Sequence, residues 1–142
     1  MFIGEFEYRV DEKGRVPIPP RFRTDLKGDG VILFPGLEKC INIYPPAEWQ
    51  KLSDTLTSSS IIPSKLRRLH RAIFASAFSV ELDGQGRISI PNQLRQYAGI
   101  EEEVIIAGMN TYLEMWGKGK WGIEKATAQE EAWQIIESLE KR

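Results

Sequence analysis

Two copies of an Asp-x-x-Gly-Arg pattern are the residues of this chain best suited to recognise another molecule. Each copy holds the same three residue types at the same spacing: Asp11, Gly14 and Arg15, then Asp83, Gly86 and Arg87. Aspartate accepts hydrogen bonds from turn amides, and glycine adopts positive φ at little cost. An arginine that follows such a turn can grip a phosphate or donate two hydrogen bonds to one guanine.

The same spacing also permits a purely structural role for both arginines. An ion pair between Asp11 and Arg15, and another between Asp83 and Arg87, would fix each turn without any ligand. The two interpretations are compatible, because an aspartate can orient the arginine that contacts a ligand. Both therefore stay open from the residues alone.

Further basic residues surround the first turn but not the second. The candidates for phosphate or secondary base contacts are Lys13, Arg9, Arg21 and Arg23. Residues 9–27 hold six basic and three acidic side chains, whereas residues 80–98 hold two of each. The first turn is thus the better anion-binding candidate, although a solvated surface charge explains any one of these residues taken singly.

Charge is also uneven elsewhere in the chain. Residues 65–71 contain four basic side chains and no acidic one, and residues 122–142 contain five acidic and three basic ones. A basic helix face of this kind is usually solvated, or it pairs with acids of a neighbouring subunit. The net charge of −1 is a mild argument against nucleic acid.

Enzymatic interpretations find little support in the residue types present. His70 and Cys40 are the single histidine and the single cysteine, so neither a nucleophilic triad nor a zinc cage of ordinary composition is available. Cys40 lies in an apolar strand pattern, which indicates an inert buried thiol. We predict no catalytic residue, no metal and no cofactor.

Composition points to an intracellular protein outside the membrane. The chain has 142 residues, of which 42% are hydrophobic and 27% charged. No apolar run approaches the roughly 20 residues that span a bilayer, and the first seven residues do not resemble a signal peptide. One cysteine excludes an intramolecular disulfide framework and fits a reducing cytoplasm.

The repeat extends well beyond the motif and predicts the architecture. At an offset of 72 residues, an alignment without gaps pairs Phe22 with Leu94, residues 32–34 with 104–106, and Trp49 with Trp121. Each repeat has only about 45 residues, close to the size at which a lone core is marginal. The two copies are therefore expected to pack against each other.

Local patterns predict the elements. Alternation over residues 6–10 and 15–18 predicts a hairpin with a glycine bulge, and residues 21–27 predict a short helix. Strands follow at 31–34 and 40–44, then a helix after Pro45 and a linker at 57–60. Ser64 is expected to cap the next helix, and Thr127 to begin a final helix that buries Trp133, Ile136 and Leu139.

The two Asp-x-x-Gly-Arg motifs, together with the residues around them, resemble the MraZ family of bacterial transcriptional regulators. Members of that family are built from two SpoVT/AbrB-type domains. The matching residues are 11–15, 19, 22–23, 67–68, 71, 75, 82–91, 94–99, 108, 114–116 and 121. The corresponding division is repeat 1 at 5–47, connecting helices and linker at 48–75, repeat 2 at 76–119 and a helical tail at 120–142.

This resemblance implies a β-rich α+β fold in which two pseudo-symmetric, AbrB-like swapped-hairpin repeats form one β-barrel with peripheral helices. It also implies a ring-shaped, octamer-like homo-oligomer that binds double-stranded DNA at tandem repeats upstream of the division and cell-wall gene cluster. The implied location is the cytoplasm, in association with the nucleoid. The second turn departs from the basic pattern, because Gly84 and Gln85 replace Glu12 and Lys13.

The leading hypothesis is a sequence-specific DNA-binding regulator in which Arg15 reads bases. Lys13, Arg9, Arg21 and Arg23 would add phosphate or secondary base contacts. The first alternative is a structural or adaptor ring that binds protein and no DNA. The second is a small hydrolase or metal enzyme that depends on His70.

Overall fold

The structure is a computed structural model that describes residues 1–26, 28 and 30–141. The strands are Glu5–Arg9 (β1), Arg15–Pro17 (β2), Val31–Pro35 (β3), Ile41–Tyr44 (β4), Phe78–Val80 (β5), Arg87–Ser89 (β6), Glu103–Gly108 (β7) and Leu113–Gly117 (β8). The helices are Pro20–Leu26 (α1), Pro46–Thr57 (α2), Pro63–Leu69 (α3), Asn92–Ala98 (α4) and Lys118–Glu140 (α5). A π-helical segment, His70–Phe74, continues α3. Lys27, the expected last residue of the first helix, lies outside the described residues.

The two repeats interlock through their strands. Six strands form one antiparallel sheet in the order β1-β7-β8-β4-β3-β5, and β2 and β6 form a separate two-stranded ribbon. The first strand of each repeat pairs with a strand of the other repeat, β1 with β7 and β5 with β3. The fold is therefore α+β with a largely antiparallel sheet, and the strand pairing of the described residues does not show a closed barrel.

The expected hairpin between residues 6–10 and 15–18 forms only at its turn. The Asp11 amide donates to the Arg15 carbonyl at 3.0 Å, and the Gly14 amide donates to the Asp11 carbonyl at the same distance. Beyond this point the arms separate, because β1 pairs with β7 and β2 pairs with β6. The prediction of two arms paired with each other was wrong, since each arm pairs with a strand of the other repeat.

The core lies between the ribbon and the sheet. Val16 and Ile88 face each other across the ribbon and are almost completely buried. Phe22 of α1 belongs to the same buried cluster, and Phe2 and Phe6 contact it edge-on at ring distances of 5.2 and 5.3 Å. Burying one such side chain contributes about 1.5–3 kcal/mol, so the shared core supplies the stability that neither repeat has alone.

The alignment without gaps was wrong by one residue in the central strands. Val31 and Leu33 face the core in β3, and Val104 and Ile106 face it in β7, so the offset there is 73. The offset returns to 72 at β4 and β8, where Ile41 corresponds to Leu113. Strand side chains alternate between faces, so the structure keeps the buried face rather than the residue count.

The helices outside the core also differ from expectation. Ile62, not Ser64, is the N-cap of α3, and Pro63 is its first residue. α5 begins at Lys118, so Thr127 lies inside it and its hydroxyl donates to the Ile123 carbonyl at 3.2 Å. Trp133, expected to be buried with Ile136 and Leu139, is 71% exposed, and the other two are exposed as well. None of the described helices has the length and apolar composition that crossing a bilayer requires.

The one-residue shift in the central strands leads to a test in β3. We expect Leu33→Ala to lower the free energy of unfolding by about 2–5 kcal/mol, because it leaves a cavity in the core. Ile32→Ala changes the adjacent, half-buried residue on the opposite face and should cost clearly less. Urea denaturation followed by circular dichroism measures both. An equal loss in the two variants would contradict the assignment of faces.

Candidate nucleic-acid interface

The two Asp-x-x-Gly-Arg turns have the same hydrogen-bonded geometry. In the first, Asp11 Oδ1 accepts the amides of Lys13 at 2.9 Å and Arg15 at 2.8 Å, while Oδ2 accepts Arg15 Nε at 2.8 Å. In the second, Asp83 repeats all three bonds, including Arg87 Nε at 2.8 Å. Gly14 and Gly86 both have φ of 76°. The structural role that the sequence left open is thus present in both copies.

These bonds extend the ionised state of both aspartates to lower pH. The backbone amide of Arg15, followed by its side chain, lowers the pKa of Asp11 below its usual value. The backbone amide of Arg87 is the main cause that lowers the pKa of Asp83 to about 2. Since a carboxylate accepts these hydrogen bonds more strongly than its protonated form does, each turn carries a negative charge beside its arginine.

Both arginines lie on the outer face of the ribbon. Val16 and Ile88 point into the core, so their neighbours Arg15 and Arg87 point the opposite way. Their side chains are 28% and 24% exposed, so neither arginine is closed off from solvent. One terminal nitrogen of Arg87 lies 3.9 Å from Asp11 Oδ2, so the two motifs meet in one site rather than forming two separate ones.

Reciprocal contacts fix the two turns against each other. The Ile18 amide donates to the Gly86 carbonyl at 2.9 Å, and the Ile90 amide donates to the Gly14 carbonyl at 2.8 Å. Arg23 donates from Nε to the Ile18 carbonyl at 2.8 Å and lies directly over Gly86. Each turn is therefore held by residues of the other repeat.

Arg95 lies at the corresponding place beside Gly14 and was not among the predicted site residues. Unlike that of Arg23, its buried Nε finds no hydrogen-bond partner among the described residues. Its terminal nitrogen would lie 3.5 Å from a Cβ placed on Gly14, and it donates to the Glu101 carbonyl at 3.2 Å. Arg23 and Arg95 occupy equivalent positions in the repeat. That equivalence was the available signal, because it places an arginine next to the glycine turn of the other repeat in both cases.

The other predicted residues lie on the first turn and on the elements around the ribbon. Lys13 is exposed at the tip of the first turn. Arg9 is exposed on β1 and pairs with Glu102 at 2.9 Å. Arg21 is exposed on α1, with its guanidinium 6.0 Å from the centre of the Phe6 ring. The structure thus brings Arg15 and Arg87 together, places Lys13 beside them and uses Arg23 as a support.

One further group of residues could hold a metal ion. Donor atoms of Glu38, Cys40 and Glu114 lie within 4.8 Å of one another. Burial and the nearby Glu114 carboxyl raise the pKa of Cys40 to about 12, and burial also raises the pKa of Glu114. A thiol must lose its proton to bind a metal or attack a substrate, so this environment works against both reactions.

The chain consists of two interlocked copies of one β-rich unit, and the ribbon that joins them displays one arginine from each copy. These features define a class of two-repeat α+β proteins with one composite site. The comparison with known families agrees with this description. A family model described as "MraZ protein, putative antitoxin-like" matches residues 1–72 and again residues 73–138. The chain belongs to the MraZ family, and the second match continues past Trp121, where the resemblance in sequence ended.

Relatives cover almost the whole chain. A protein of Dehalococcoides mccartyi named "Transcriptional regulator MraZ" is 58% identical over 142 residues, with 99% of each chain covered. Proteins of the same name from Halothermothrix orenii and Thermomicrobium roseum are 41% and 40% identical. The match to the Halothermothrix orenii protein covers 99% of this chain and 97% of the relative. The match to the Thermomicrobium roseum protein covers 98% of this chain and 97% of the relative.

The contact between Arg23 and Gly86 leads to a test of the composite site. Gly14→Ala and Gly86→Ala both force alanine into a left-handed conformation, at a cost of roughly 1–2 kcal/mol. Gly86→Ala should cost about 1 kcal/mol more, because its Cβ displaces Arg23 from the Ile18 carbonyl. Urea denaturation measures the difference, and Arg23→Ala should abolish it. A difference that persists without the Arg23 side chain would exclude this explanation.

Proposed function

We propose that the chain is a sequence-specific DNA-binding transcriptional regulator, and that the outer face of the β2–β6 ribbon contacts the DNA. The observation that carries this proposal is the pair of arginines that project from one ribbon with their Nε atoms bound to aspartates. The name shared by the relatives, transcriptional regulator, supports the same conclusion.

The geometry suits recognition of bases. A two-stranded antiparallel ribbon has dimensions that a major groove accepts. Asp11 binds Arg15 through Nε, at 2.8 Å, so the two terminal nitrogens are the part of the guanidinium directed away from the carboxylate. A guanidinium held in this way can donate to guanine O6 and N7 together, which contributes roughly 1–3 kcal/mol of discrimination. Arg15 is the base reader in this proposal.

The first turn contributes more to binding than the second. Lys13 at its exposed tip can contact a phosphate, whereas Gln85 takes that place in the second turn and carries no charge. Arg9 and Arg21 add exposed positive charge near the same end. Arg23 supports Gly86 through its bond to Ile18, so its contribution to DNA binding is indirect.

The family resemblance supports a target and an assembly for this regulator. Its sites are tandem repeats in the promoter upstream of the division and cell-wall gene cluster, and it acts as a ring-shaped, octamer-like homo-oligomer at the nucleoid. Several weak contacts on neighbouring repeats reinforce one another through effective concentration. This explains how a chain with a net charge of −1 can bind DNA.

A ring that binds protein instead of DNA is the second candidate. The observation in its favour is that each ribbon arginine already has an aspartate partner at 2.8 Å, which offsets much of its charge. On this alternative the ribbon only joins the repeats, and its arginines contact no nucleic acid.

Substitution of Arg15 separates the two candidates. We expect Arg15→Ala to abolish specific binding to the promoter DNA of the chain's own gene, and Arg15→Lys to retain non-specific binding without the specificity, because lysine lacks the planar fork. Gel-shift titration against promoter and scrambled duplexes measures both effects. Arg87→Ala is the matched control and should weaken binding less. Unchanged affinity in all three variants would favour the adaptor ring.

Lys13 tests the phosphate contact separately. We expect Lys13→Ala to weaken binding equally on specific and scrambled DNA, and to reduce the slope of log affinity against log salt by about one. Gln85→Ala, at the same place in the second turn, should leave the slope unchanged. Fluorescence anisotropy across a salt series provides the measurement. A loss confined to the promoter sequence would instead make Lys13 a base contact.

A further inference from the structure

The C-terminal end of α5 is an exposed amphipathic segment. The first part of this helix packs on β7 and β8, with Trp121 5.8 Å from Trp116 between ring centres. Residues 133–140 are all exposed, including Trp133 at 71% and Leu139 at 61%. Trp133, Ile136 and Leu139 recur every third residue and so lie along one side of the helix. A stripe of large apolar side chains in water indicates a surface that is covered by a partner.

The same segment is strongly acidic. Residues 129–140 contain four glutamates, Glu130, Glu131, Glu137 and Glu140, and no lysine or arginine. Glu130 lies three residues before Trp133 and Glu137 lies four residues after it, so the two glutamates flank Trp133 one helical turn away on each side. The expected partner therefore combines apolar residues with positive charge.

α3 and the π-helical segment after it have these properties. Lys65, Arg67, Arg68 and Arg71 are exposed there, and residues 61–74 contain no acidic residue. Apolar residues lie among them: Ile62 is 56% exposed, and Leu66 and Leu69 are half-buried. Among the described residues, none of the four basic side chains forms a salt bridge.

We propose that the acidic end of α5, residues 129–140, docks on α3 of a second copy of this chain. The apolar stripe of α5 would cover Ile62, Leu66 and Leu69, while its glutamates pair with Arg67, Arg68 and Arg71. Burial of apolar area provides affinity, and complementary charge selects the partner and its orientation. The inference deepens the proposed assembly and depends on it, because it names the two surfaces through which copies meet.

The occupant follows from the two surfaces together. DNA phosphates could satisfy the basic side chains of α3, but they would leave its apolar residues uncovered. DNA would also repel the glutamates of α5. A second copy satisfies both surfaces at once. Each copy offers one surface and receives the other, which is the heterologous arrangement that closes into a ring when its rotation permits.

Charge reversal on the full-length chain tests the inference. One variant carries Glu130→Lys and Glu137→Lys, and the other carries Arg67→Glu and Arg71→Glu. All four positions are exposed, so both variants should fold, and circular dichroism with urea denaturation checks this. Size-exclusion chromatography with light scattering then reports the mass of each variant alone and of the equimolar mixture.

Each variant alone should lose the wild-type assembly, with at least tenfold weaker association. The equimolar mixture should regain the wild-type mass. In the mixture the reversed α5 of one variant can pair with the reversed α3 of the other, and the native α5 can pair with the native α3. Wild-type mass in either folded variant, or no recovery in the mixture, would overturn the inference. A wild-type chain that is monomeric at all concentrations would also overturn it.

DNA binding is measured on the same samples to keep the two proposals apart. If the Arg67→Glu/Arg71→Glu variant retains the wild-type mass but loses DNA, α3 is a DNA contact and the docking inference fails. If the wild-type chain binds no promoter DNA but the charge reversal behaves as expected, the docking stands and the proposed regulator fails. Arg15→Ala should leave the mass unchanged, since Arg15 lies in neither surface.

Discussion

One carboxylate in each repeat determines the geometry of the whole site. Asp11 and Asp83 each accept two backbone amides and one guanidinium nitrogen, at distances between 2.8 and 3.0 Å. A single side chain therefore shapes a turn and orients the arginine that leaves it. The arginine is pre-oriented before any ligand arrives, which reduces the conformational entropy lost on binding.

The interlocking of the repeats converts two turns into one surface. Each glycine turn accepts, at its carbonyl, the amide that follows the other turn's strand, and Arg23 and Arg95 each lie against the glycine of the other repeat's turn. Each arginine is oriented within its own turn, but the turn itself is held in place by contacts with the other half. The duplication is therefore not a pair of independent modules. Contacts between residues about 72 positions apart also predict slow folding for a chain of this size.

The sequence predicted what local chemistry determines. Both turns, their aspartate–arginine pairs, the buried Cys40 and the family could be inferred, because aspartate, glycine and arginine at fixed spacing specify the turn directly. The strand partners of the two arms could not be inferred, because they belong to the other repeat. The shift in β7 was hidden because β7 is one residue longer than β3, while the β7–β8 loop is one residue shorter than the β3–β4 loop. The role of Arg23 was missed because its partner, Gly86, lies far away in sequence.

The ribbon also has a direction. Its backbone is nearly two-fold symmetric about the Val16–Ile88 pair, but the turn at one end carries Lys13 and the turn at the other carries Gln85. A surface with equal halves would favour a palindromic DNA site, whose sequence is the same in both orientations of the duplex. Unequal halves distinguish the two orientations of a duplex. Sites for such a surface are expected to run head to tail along one strand, so that every copy in an assembly faces the same way.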